Sequence, residues 1–461
     1  MVEPGRLVDR VAELSRLKTL WESGQPGLAV VYGRRRVGKT RLILEWLRGR
    51  RHAYYQAGLW PGNLRALAEA VAEQLGLEAL RGAEPRSLRG LFELLSALLG
   101  GERAAVVIDE FTYWLRVEPG VVSELQYVVD HVLPGTRLLV VISGSTVGLM
   151  QREVLGGGAP LYGRAVLRRK LGELEPWCLP PFAPRYGPRE LVEAYSLFGG
   201  IPFYLRLLDD QAGPLDEFIR LFGPEGVLED EPLFLMREEF REPSPYLALL
   251  RAIARGARGL GEAAQSAGLP TSHASRYLHS LIDLGLVERE PILFRRRGSL
   301  YRVADNMLAA WLSIVEPLLP LLRENPGAAM ARASALARTH YARVWEKLAC
   351  RHAVAELAPR HGIAPVEAGR LVHRGEEIDC LIIDHGSGAL LAVEAKWSTL
   401  DRGEAEAVAR KLSDKLARAL PARLRGYRRV LAVYAAEAKG GAPPGVELVE
   451  AADLPWGRGC R

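Results

Sequence analysis

The stretch Gly33-Arg-Arg-Arg-Val-Gly-Lys39-Thr40 matches the P-loop pattern G-x-x-x-x-G-K-[ST] in full. It follows the apolar run Leu28-Ala-Val-Val-Tyr32 and precedes Arg41-Leu-Ile-Leu-Glu-Trp-Leu47, where apolar residues recur at helical spacing. A buried strand, a glycine loop and a helix in this order predict a phosphate site in an α/β fold. The alternative is a glycine-rich strand-to-helix turn that binds no ligand.

The residue types in this loop fit the chemistry of a bound nucleotide. Gly33 and Gly38 let the backbone turn tightly, so that N–H groups converge on phosphate oxygens at the positive end of the helix. Lys39 is expected to hold β- and γ-phosphate oxygens, and Thr40 to offer its hydroxyl to Mg²⁺. The predicted nucleotide-binding residues are Gly33, Arg34, Arg35, Arg36, Val37, Gly38, Lys39, Thr40, Arg41, Asp109 and Ser143.

A second strand-like run, Ala104-Ala-Val-Val-Ile-Asp109-Glu110, ends in two carboxylates. Asp109 is predicted to hold Mg²⁺ with Thr40, and Glu110 to orient and polarise the attacking water. The alternative is a buried strand that leaves its sheet through two acids. The P-loop upstream favours the catalytic interpretation, because the two motifs together are typical of nucleotide hydrolysis.

Two further segments hold candidate groups for the nucleotide site. The strand-like run from Arg137 ends in Ser143 and Ser145, at the edge where strand C-termini gather in an open α/β sheet. One of the two serines is expected to sense the γ-phosphate or, alternatively, to cap the strand end. Arg164, in a glycine-rich stretch, is predicted either to offset charge in the transition state or to form a surface salt bridge.

Composition is that of an ordinary globular chain. With 461 residues, about three domains are expected, and 48% hydrophobic with 25% charged residues argues against disorder. The net charge of +6 permits a nucleic-acid partner without requiring one. The four cysteines form no Cys-x-x-Cys pair, so neither a disulfide framework nor a zinc site is expected. No signal peptide or membrane span is recognised, and the expected location is cytoplasmic.

The middle of the chain changes character twice. A proline cluster begins at Glu175 and predicts a linker to a small helical lid. From Tyr246 to Val303, three predicted helices and a hairpin from Ile292 have the order of a winged helix-turn-helix. The third helix is expected to present Ser272, His273, Ser275, Arg276 and His279, and the wing Arg295, Arg296 and Arg297. Such a surface suits DNA phosphates, although winged helices also dock proteins.

The last region contains a second set of acids. Glu346 lies on a predicted helix, and Asp379 and Glu394 lie on two strand-like runs, with Lys396 two residues beyond. Glu394 and Lys396 share one face of their strand. If Asp379 lies alongside, the set could bind Mg²⁺ or Mn²⁺, with Lys396 activating water and Glu346 as an outer ligand. The alternative is an exposed ladder of opposite charges.

A basic run follows these acids, and it could track a nucleic-acid backbone or be a solvated surface of mixed charge. Its members are Arg410, Lys411, Lys415, Arg418, Arg423, Arg425, Arg428 and Arg429.

The ordered motifs resemble the archaeal-type ATPase family, a P-loop branch close to the AAA+ and STAND groups. The resemblance rests on Arg10 and Glu13, the P-loop, Ile108-Asp109-Glu110, Ser143-Gly-Ser145, Tyr162-Gly-Arg164 and Gly199-Gly-Ile-Pro-Phe-Tyr-Leu205. It implies ATP binding by Lys39, Thr40 and Asp109, hydrolysis aided by Glu110, and a regulatory or finger role for Arg164.

The C-terminal acids resemble the PD-(D/E)xK domains similar to restriction endonucleases, which frequently extend this family. One departure is that Ile378 stands where a proline is expected before the first acid, Asp379.

The sequence therefore predicts an α/β protein with a P-loop sheet, a helical lid, a winged helix-turn-helix and a small nuclease-like α/β domain. The expected bounds are 1–174, 175–240, 241–305, a linking helix at 306–327, and 328–461. The predicted function is an Mg²⁺-dependent ATPase that controls a DNA-binding winged helix and a nuclease-like domain. The alternatives are a nucleotide-gated DNA-binding or protein scaffold whose nuclease-like domain is inactive, and a protein-remodelling ATPase. A homo-oligomer is left open.

Overall fold

The structure is a computed structural model that describes residues 7–81, 83–294 and 299–460. Two compact units are present, and each is described by itself. The N-terminal unit comprises the described residues up to Glu175, residues 201–206 and those from Gly459. The C-terminal unit comprises residues 176–200 and the described residues of 207–458.

The N-terminal unit is built on a five-stranded sheet in which every pair of neighbours is parallel, with the order β2-β3-β4-β1-β5. Its strands are β1 (Gly27–Tyr32), β2 (His52–Gln56), β3 (Ala104–Asp109), β4 (Leu138–Gly144) and β5 (Ala165–Lys170). The central strands β3 and β4 are buried along their whole length. This burial explains their continuous apolar runs, since helices cover both faces of such a sheet.

Helices flank this sheet, and the run from Arg41 to Leu47, predicted to be helical, lies within the helix Lys39–Leu47. The α-helices of the unit span Val11–Glu22, Lys39–Leu47, Asn63–Leu75, Glu78–Arg81, Leu88–Leu99, Phe111–Val117, Val121–Tyr127, Val147–Leu149 and Pro202–Leu205. Two π-helical segments, Val128–Val132 and Met150–Leu155, and one 3₁₀ turn, Leu133–Gly135, complete it. The sequence did not predict β5, because this edge strand alternates half-buried and exposed residues and contains Arg168, Arg169 and Lys170.

The first half of the C-terminal unit is helical. Its α-helices span Pro188–Phe198, Pro214–Phe222, Glu231–Glu239, Ser244–Ala254, Leu260–Ser266, Thr271–Asp283, Asn306–Ala310 and Leu319–Glu324. The linking helix that the sequence predicts at 306–327 is not one continuous α-helix. A π-helical segment, Trp311–Val315, and a 3₁₀ turn, Glu316–Leu318, precede the last of these helices, because the prolines of this stretch lack the N–H that a continuous helix needs.

The second half of this unit is a mixed seven-stranded sheet with the order β12-β11-β10-β9-β8-β6-β7. Its strands are β6 (Val287–Leu293), β7 (Ser299–Val303), β8 (Glu367–His373), β9 (Glu376–Asp384), β10 (Ala389–Asp401), β11 (Arg428–Lys439) and β12 (Val446–Glu450). The remaining helical segments are Pro326–His352, Ala353–Leu357, Ala358–Arg360, Arg402–Ala419 and 3₁₀ turns at Pro176–Cys178, Ala422–Leu424 and Ala451–Asp453.

The hairpin of the winged helix-turn-helix differs from its prediction. The first strand begins at Val287, which pairs with Val303 in an antiparallel ladder, rather than at Ile292. Ile292 and Leu293, at the end of this strand, pair in parallel with Arg370 and Leu371 of β8. The hairpin is therefore part of the C-terminal sheet. The predicted wing residues Arg295, Arg296 and Arg297 lie outside the described residues.

One disulfide corrects the expectation from cysteine spacing. Cys350 at the end of the helix Pro326–His352 is bonded to Cys380 of β9, with 5.5 Å between the two Cα atoms. The sequence places these cysteines 30 residues apart, and only the packing of the helix on the sheet brings them together. Within the described ranges, no helix has the length and apolar character that crossing a bilayer requires.

Candidate nucleotide site and C-terminal carboxylate cluster

The glycine loop after β1 has the backbone that its sequence demands. A Cβ atom at Gly33 would overlap the carbonyl oxygen of Leu171, so this position excludes any side chain. Gly38 has a φ of +96°, in the left-handed region that favours glycine. Arg36 adopts a φ of 70°, which is uncommon for a residue with a side chain. The loop leads directly into the helix Lys39–Leu47, whose N-terminal end is suited to an anion.

Thr40 and Asp109 meet at the carboxyl edge of the sheet. The Thr40 hydroxyl donates to Oδ2 of Asp109 over 2.6 Å. Lys39 is almost fully buried, and its Nζ lies 3.1 Å from the carbonyl oxygen of Arg34 and 3.9 Å from Oε1 of Glu110. The structure thus brings together four of the predicted residues. A hydroxyl and a carboxylate at hydrogen-bond distance are oxygen donors of the kind that Mg²⁺ prefers, so the residues present fit this ion.

Two further uncharged hydroxyl groups donate hydrogen bonds to the carboxylate of Asp109. The Tyr54 hydroxyl donates to Oδ2 over 2.7 Å, and the Ser143 hydroxyl donates to Oδ1. Burial and the neighbouring Asp109 raise the pKa of Tyr54, which therefore stays a neutral donor. Sequence reasoning missed Tyr54. It lies on β2, and only the strand order, with β2 beside β3, places it at this carboxylate.

Glu110 is held in an unusual backbone conformation, with a φ of 52°. Its Oε2 accepts from the backbone N–H of Ser145 over 3.1 Å and from the Ser145 hydroxyl over 2.7 Å. The backbone N–H of Glu110 points back to the site and donates to Asp109 Oδ1 and to Ser143 Oγ. The two serines thus each hold one of the two acids, and their predicted part in sensing a phosphate stays a prediction. A strained residue of this kind is typical of functional sites.

The predicted finger residue Arg164 contacts an acid of its own unit. Its Nε donates to the two carboxylate oxygens of Asp130 over 2.7 and 2.9 Å, and a second nitrogen donates to the Pro160 carbonyl over 3.0 Å. About a third of the side chain is exposed. This geometry corresponds to the salt-bridge alternative, and the finger role stays a prediction.

The arginines of the loop point to different neighbours. The guanidinium of Arg36 lies 4.1 Å from the ring centre of Phe203. Nη1 of Arg34 lies 3.9 Å from Oε1 of Glu173. Nη2 of Arg41 lies 3.6 Å from Oε2 of Glu45. Arg10, outside the loop, is almost fully buried and donates to the carbonyl oxygens of Val37 and Gly172. It therefore braces the loop, which is a structural role for one of the residues that carried the family resemblance.

The C-terminal acids surround Arg370, which the sequence analysis did not consider. This side chain is only 2% exposed. Its Nη2 donates to Glu346 Oε2 over 2.5 Å, and its Nη1 lies 3.3 Å from Asp379 Oδ1. Nη1 also donates to Glu377 over 2.6 Å, and Nε donates to Glu290 over 3.0 Å. Burial opposes the charge, but Glu290 and Glu346 raise the pKa of Arg370.

Glu394 is neutralised in the same way. Lys396 Nζ lies 2.9 Å from Glu394 Oε1, as the alternation of the strand predicts, and Lys415 contacts both carboxylate oxygens at 2.8 and 3.0 Å. Asp379 accepts from the backbone N–H of Ala395 over 2.9 Å. Burial, aided by Glu346 and Glu394, raises the pKa of Asp379 to about 6.

The predicted ligands Glu346, Asp379 and Glu394 therefore do lie close together, but protein cations contact each of them. Among the residues that the structure describes, no group of three or more His, Cys, Asp or Glu side chains is arranged to hold a metal ion. The fit of a second Mg²⁺ or Mn²⁺ to this cluster is poor. The basic run is also partly used internally, because Lys415 contacts Glu394 and Arg418 donates to Glu376 over 2.6 Å.

The third helix of the helix-turn-helix packs as predicted. Ala274, Leu278 and Leu281 are buried. Four of the five residues expected on the outer face are exposed and Ser275 is half-buried; the exposed ones are Ser272, His273, Arg276 and His279.

Comparisons with known proteins match the order of these regions. Residues 7–208 match a family described as an ATPase domain predominantly from Archaea, and residues 246–291 match the IclR helix-turn-helix domain. Residues 311–408 match a family described as archaea bacterial proteins of unknown function. The predicted archaeal ATPase domain and helix-turn-helix are thereby confirmed, while the nuclease-like domain stays a prediction.

One relative matches nearly the whole chain. The uncharacterised protein MJECL04 of Methanocaldococcus jannaschii is 31% identical over 421 residues, which are 88% of this chain and 91% of the relative. Among solved structures, the Walker-type ATPase PABY2304 of Pyrococcus abyssi shares 22% identity over 68% of this chain and 97% of its own, with a TM-score of 0.49. The ORC1 protein of Aeropyrum pernix in complex with DNA shares 18% sequence identity over 71% of this chain and 95% of its own, with a TM-score of 0.33.

Proposed function

The chain belongs to the same family as the Methanocaldococcus jannaschii protein MJECL04, and from that premise we propose that it binds and hydrolyses ATP with Mg²⁺ at the P-loop. The observation that supports this most directly is the contact of 2.6 Å between Thr40 Oγ1 and Asp109 Oδ2. It unites two motifs that lie 69 residues apart in the sequence. Glu110 and Lys39 flank this pair, which assembles the groups that phosphoryl transfer requires.

Each side chain has a role that follows from its contacts. Lys39, now 3.9 Å from Glu110, exchanges this weak ion pair for the β- and γ-phosphate oxygens of ATP. Thr40 and Asp109 would hold Mg²⁺, which would supply positive charge beside the phosphates. Glu110 orients the water whose oxygen attacks the γ-phosphorus, accepts its proton, and keeps one oxygen fixed on Ser145 while the bond to the β-phosphate oxygen breaks.

The test is ATP turnover by the full chain and two variants. Lys39→Ala is expected to lose nucleotide binding, and Glu110→Gln to bind ATP but turn it over at least about 100-fold more slowly, the usual share of a general base. Matched controls are Lys18→Ala and Glu69→Gln, since both residues are well exposed on helices of the same unit. Equal turnover in all five proteins would falsify the proposal.

The finger role of Arg164 is proposed in a conditional form. Arg164 Nε contacts both carboxylate oxygens of Asp130, and we propose that it exchanges these contacts for a phosphate oxygen when ATP is bound. Asp130→Asn weakens that pair, so it should raise turnover several-fold if Arg164 acts on the nucleotide, and Arg164→Ala should lower it. If neither variant changes turnover, Arg164 is a structural salt-bridge residue.

ATP hydrolysis is proposed to control DNA binding by the helix-turn-helix. The exposed residues of the helix Thr271–Asp283 include Arg276 and two imidazoles, which suit phosphates and base edges. Affinity for a DNA duplex should fall as salt rises, because phosphate contacts release counterions. Arg276→Ala should weaken binding, whereas Arg338→Ala, an exposed arginine on another helix, should not. Salt-independent binding, or none, would favour a protein-docking role instead.

For the C-terminal region, the contacts of Arg370 favour the alternative of a domain that resembles a nuclease but cleaves nothing. The guanidinium lies where the carboxylates of Glu346 and Asp379 would otherwise face a metal ion. The assay is incubation of plasmid and single-stranded DNA with Mn²⁺ and either the wild type or Asp379→Ala. We expect both DNAs to remain intact. Cleavage by the wild type that Asp379→Ala abolishes would restore the nuclease prediction, in which Glu394 and Lys396 are the further candidate residues.

A further inference from the structure

A cavity of about 390 Å³ lies inside the C-terminal unit, between the helix-turn-helix, its hairpin and the helix Pro326–His352. This volume is in the range of sites for small organic ligands. The charged residues of its wall are Arg258, Arg302, Arg343, Lys347, Glu290 and Glu346. We propose that this cavity binds a small ligand that carries a phosphate group, and that Arg343 is its principal contact.

Arg343 differs from the other cations of the wall. Its Nη1 donates to the carbonyl oxygen of Ala254 over 2.8 Å, and within the described ranges no carboxylate lies at ion-pair distance. The other three each have a carboxylate partner: Arg258 contacts Glu377 at 2.9 Å, Lys347 contacts Glu288 at 2.8 Å, and Arg302 contacts Glu290 at 3.4 Å. Arg343 is thus the cation of this wall whose charge the described chain does not pair.

The surroundings of Arg343 make its charge costly. Burial lowers the pKa of Arg343, and the nearby cations Arg258 and Arg302 lower it further, while Glu346 opposes them. His340 lies on the same wall. Burial lowers its pKa to about 4, and the charges of Arg343 and Arg302 lower it in the same direction. An anion in the cavity would offset the desolvation of the Arg343 guanidinium and the repulsion between neighbouring cations. The binding free energy would come from this electrostatic stabilisation.

The wall also leaves the guanidinium accessible from one side. Gly256 has a φ of +127°, and a Cβ atom there would lie 3.2 Å from Nη2 of Arg343. Because glycine stands at this position, no side chain covers that nitrogen from Gly256. Tyr301 and Thr339 contribute hydroxyl-bearing side chains to the same wall.

Phosphate suits this wall better than other anions. The cations come from three separate elements, namely the loop after Ser244–Ala254, strand β7 and the helix Pro326–His352. A phosphate offers oxygens in several directions and more than one negative charge, whereas a carboxylate is satisfied by one planar fork. A nucleic-acid duplex is far larger than the cavity, so the ligand is a small molecule.

The first experiment measures binding of inorganic phosphate and of AMP to the full chain. Lys39→Ala is present throughout, so that the P-loop contributes little. We expect Arg343→Ala to weaken both ligands at least tenfold, Arg343→Lys to weaken them less, and Arg338→Ala to bind within twofold of the parent. Arg338 is the matched control because it lies exposed on the same helix and does not line the cavity.

A second measurement needs no substitution and serves if Arg343→Ala does not fold. Phenylglyoxal modifies accessible arginines, and the rate at each arginine can be followed by mass spectrometry. Phosphate should slow modification of Arg343 several-fold and leave that of Arg338 unchanged. The proposal is overturned if phosphate protects both or neither, if Arg343→Ala and Arg338→Ala bind equally, if acetate binds as tightly as phosphate, or if only a DNA duplex protects Arg343.

Discussion

Asp109 in the N-terminal unit is buried and Asp379 in the C-terminal unit is half-buried, and both have other acids nearby, yet their surroundings differ. Asp109 accepts from the hydroxyls of Thr40, Ser143 and Tyr54. Asp379 instead lies 3.3 Å from the guanidinium of Arg370, and cations also contact its neighbouring acids.

The difference shows what decides whether a carboxylate pattern can hold a metal ion. Hydroxyl donors satisfy lone pairs but leave the negative charge in place, and a divalent cation can then neutralise it. A guanidinium or ammonium has already neutralised that charge. The sequence favoured a metal site at Asp109 more strongly than at Glu394-x-Lys396, and the side chains that contact these acids differ in the same direction.

The largest expected effect tests the internal cation. Arg370→Met should lower the free energy of unfolding by about 3–5 kcal/mol, because it leaves several carboxylates together without their buried counter-charge. The measurement is chemical denaturation of the full chain. Arg418→Met is the control: Arg418 also contacts a glutamate, Glu376, but it is well exposed, so the change should lower the free energy of unfolding far less than Arg370→Met does. Similar losses in both variants would mean that Arg370 does not neutralise the cluster.

The second prediction concerns pH and the cations of the C-terminal unit. Burial lowers the pKa of His340 to about 4 in the folded chain, whereas an unperturbed histidine has a pKa of about 6.5. As the pH falls below about 6.5, the unfolded chain takes up this proton first, so the free energy of unfolding should drop by about 3 kcal/mol by pH 4. His340→Gln should lack this component, whereas His273→Gln, exposed on the third helix, should retain it. Parallel pH profiles for all three proteins would contradict the assignment.

The smallest effect tests the uncharged partners of Asp109. Tyr54→Phe removes one hydroxyl and leaves Thr40 and Ser143 on the carboxylate, so it should cost about 1 kcal/mol of unfolding free energy, the net worth of a neutral hydrogen bond. Because the site keeps its charge, Mg²⁺-dependent turnover should persist. Tyr32→Phe, on strand β1 of the same sheet, is a control for loss of a hydroxyl elsewhere. A loss as large as that of Arg370→Met would erase the contrast between the two sites.

Much of the nucleotide site could be predicted because its elements are local. The run from Leu28 became β1, and the glycine loop leads into the helix Lys39–Leu47, as the helical spacing of Arg41 to Leu47 predicts. In each case a strand, turn or helix is specified by consecutive residues.

The parts that could not be predicted depend on pairing between distant segments. Tyr54 reaches Asp109 because β2 lies beside β3, and Arg370 reaches Asp379 because β8 lies beside β9. The Cys350–Cys380 disulfide likewise needs a helix packed on the sheet. Periodicity gives the face of each element but not its neighbour, so the electrostatics of the C-terminal cluster were hidden in the sequence.

The pairing of Ile292 with Arg370 and of the following residue with Leu371 has a mechanical consequence. If flexible linkers joined the modules of a chain, a torque applied to the hairpin would not be transmitted to the next module. Here strand β6 of the hairpin pairs with β8, so a rotation of the hairpin would be transmitted through backbone hydrogen bonds to the seven-stranded sheet. The hairpin and the C-terminal sheet are thus joined by strand pairing as well as by the connecting chain.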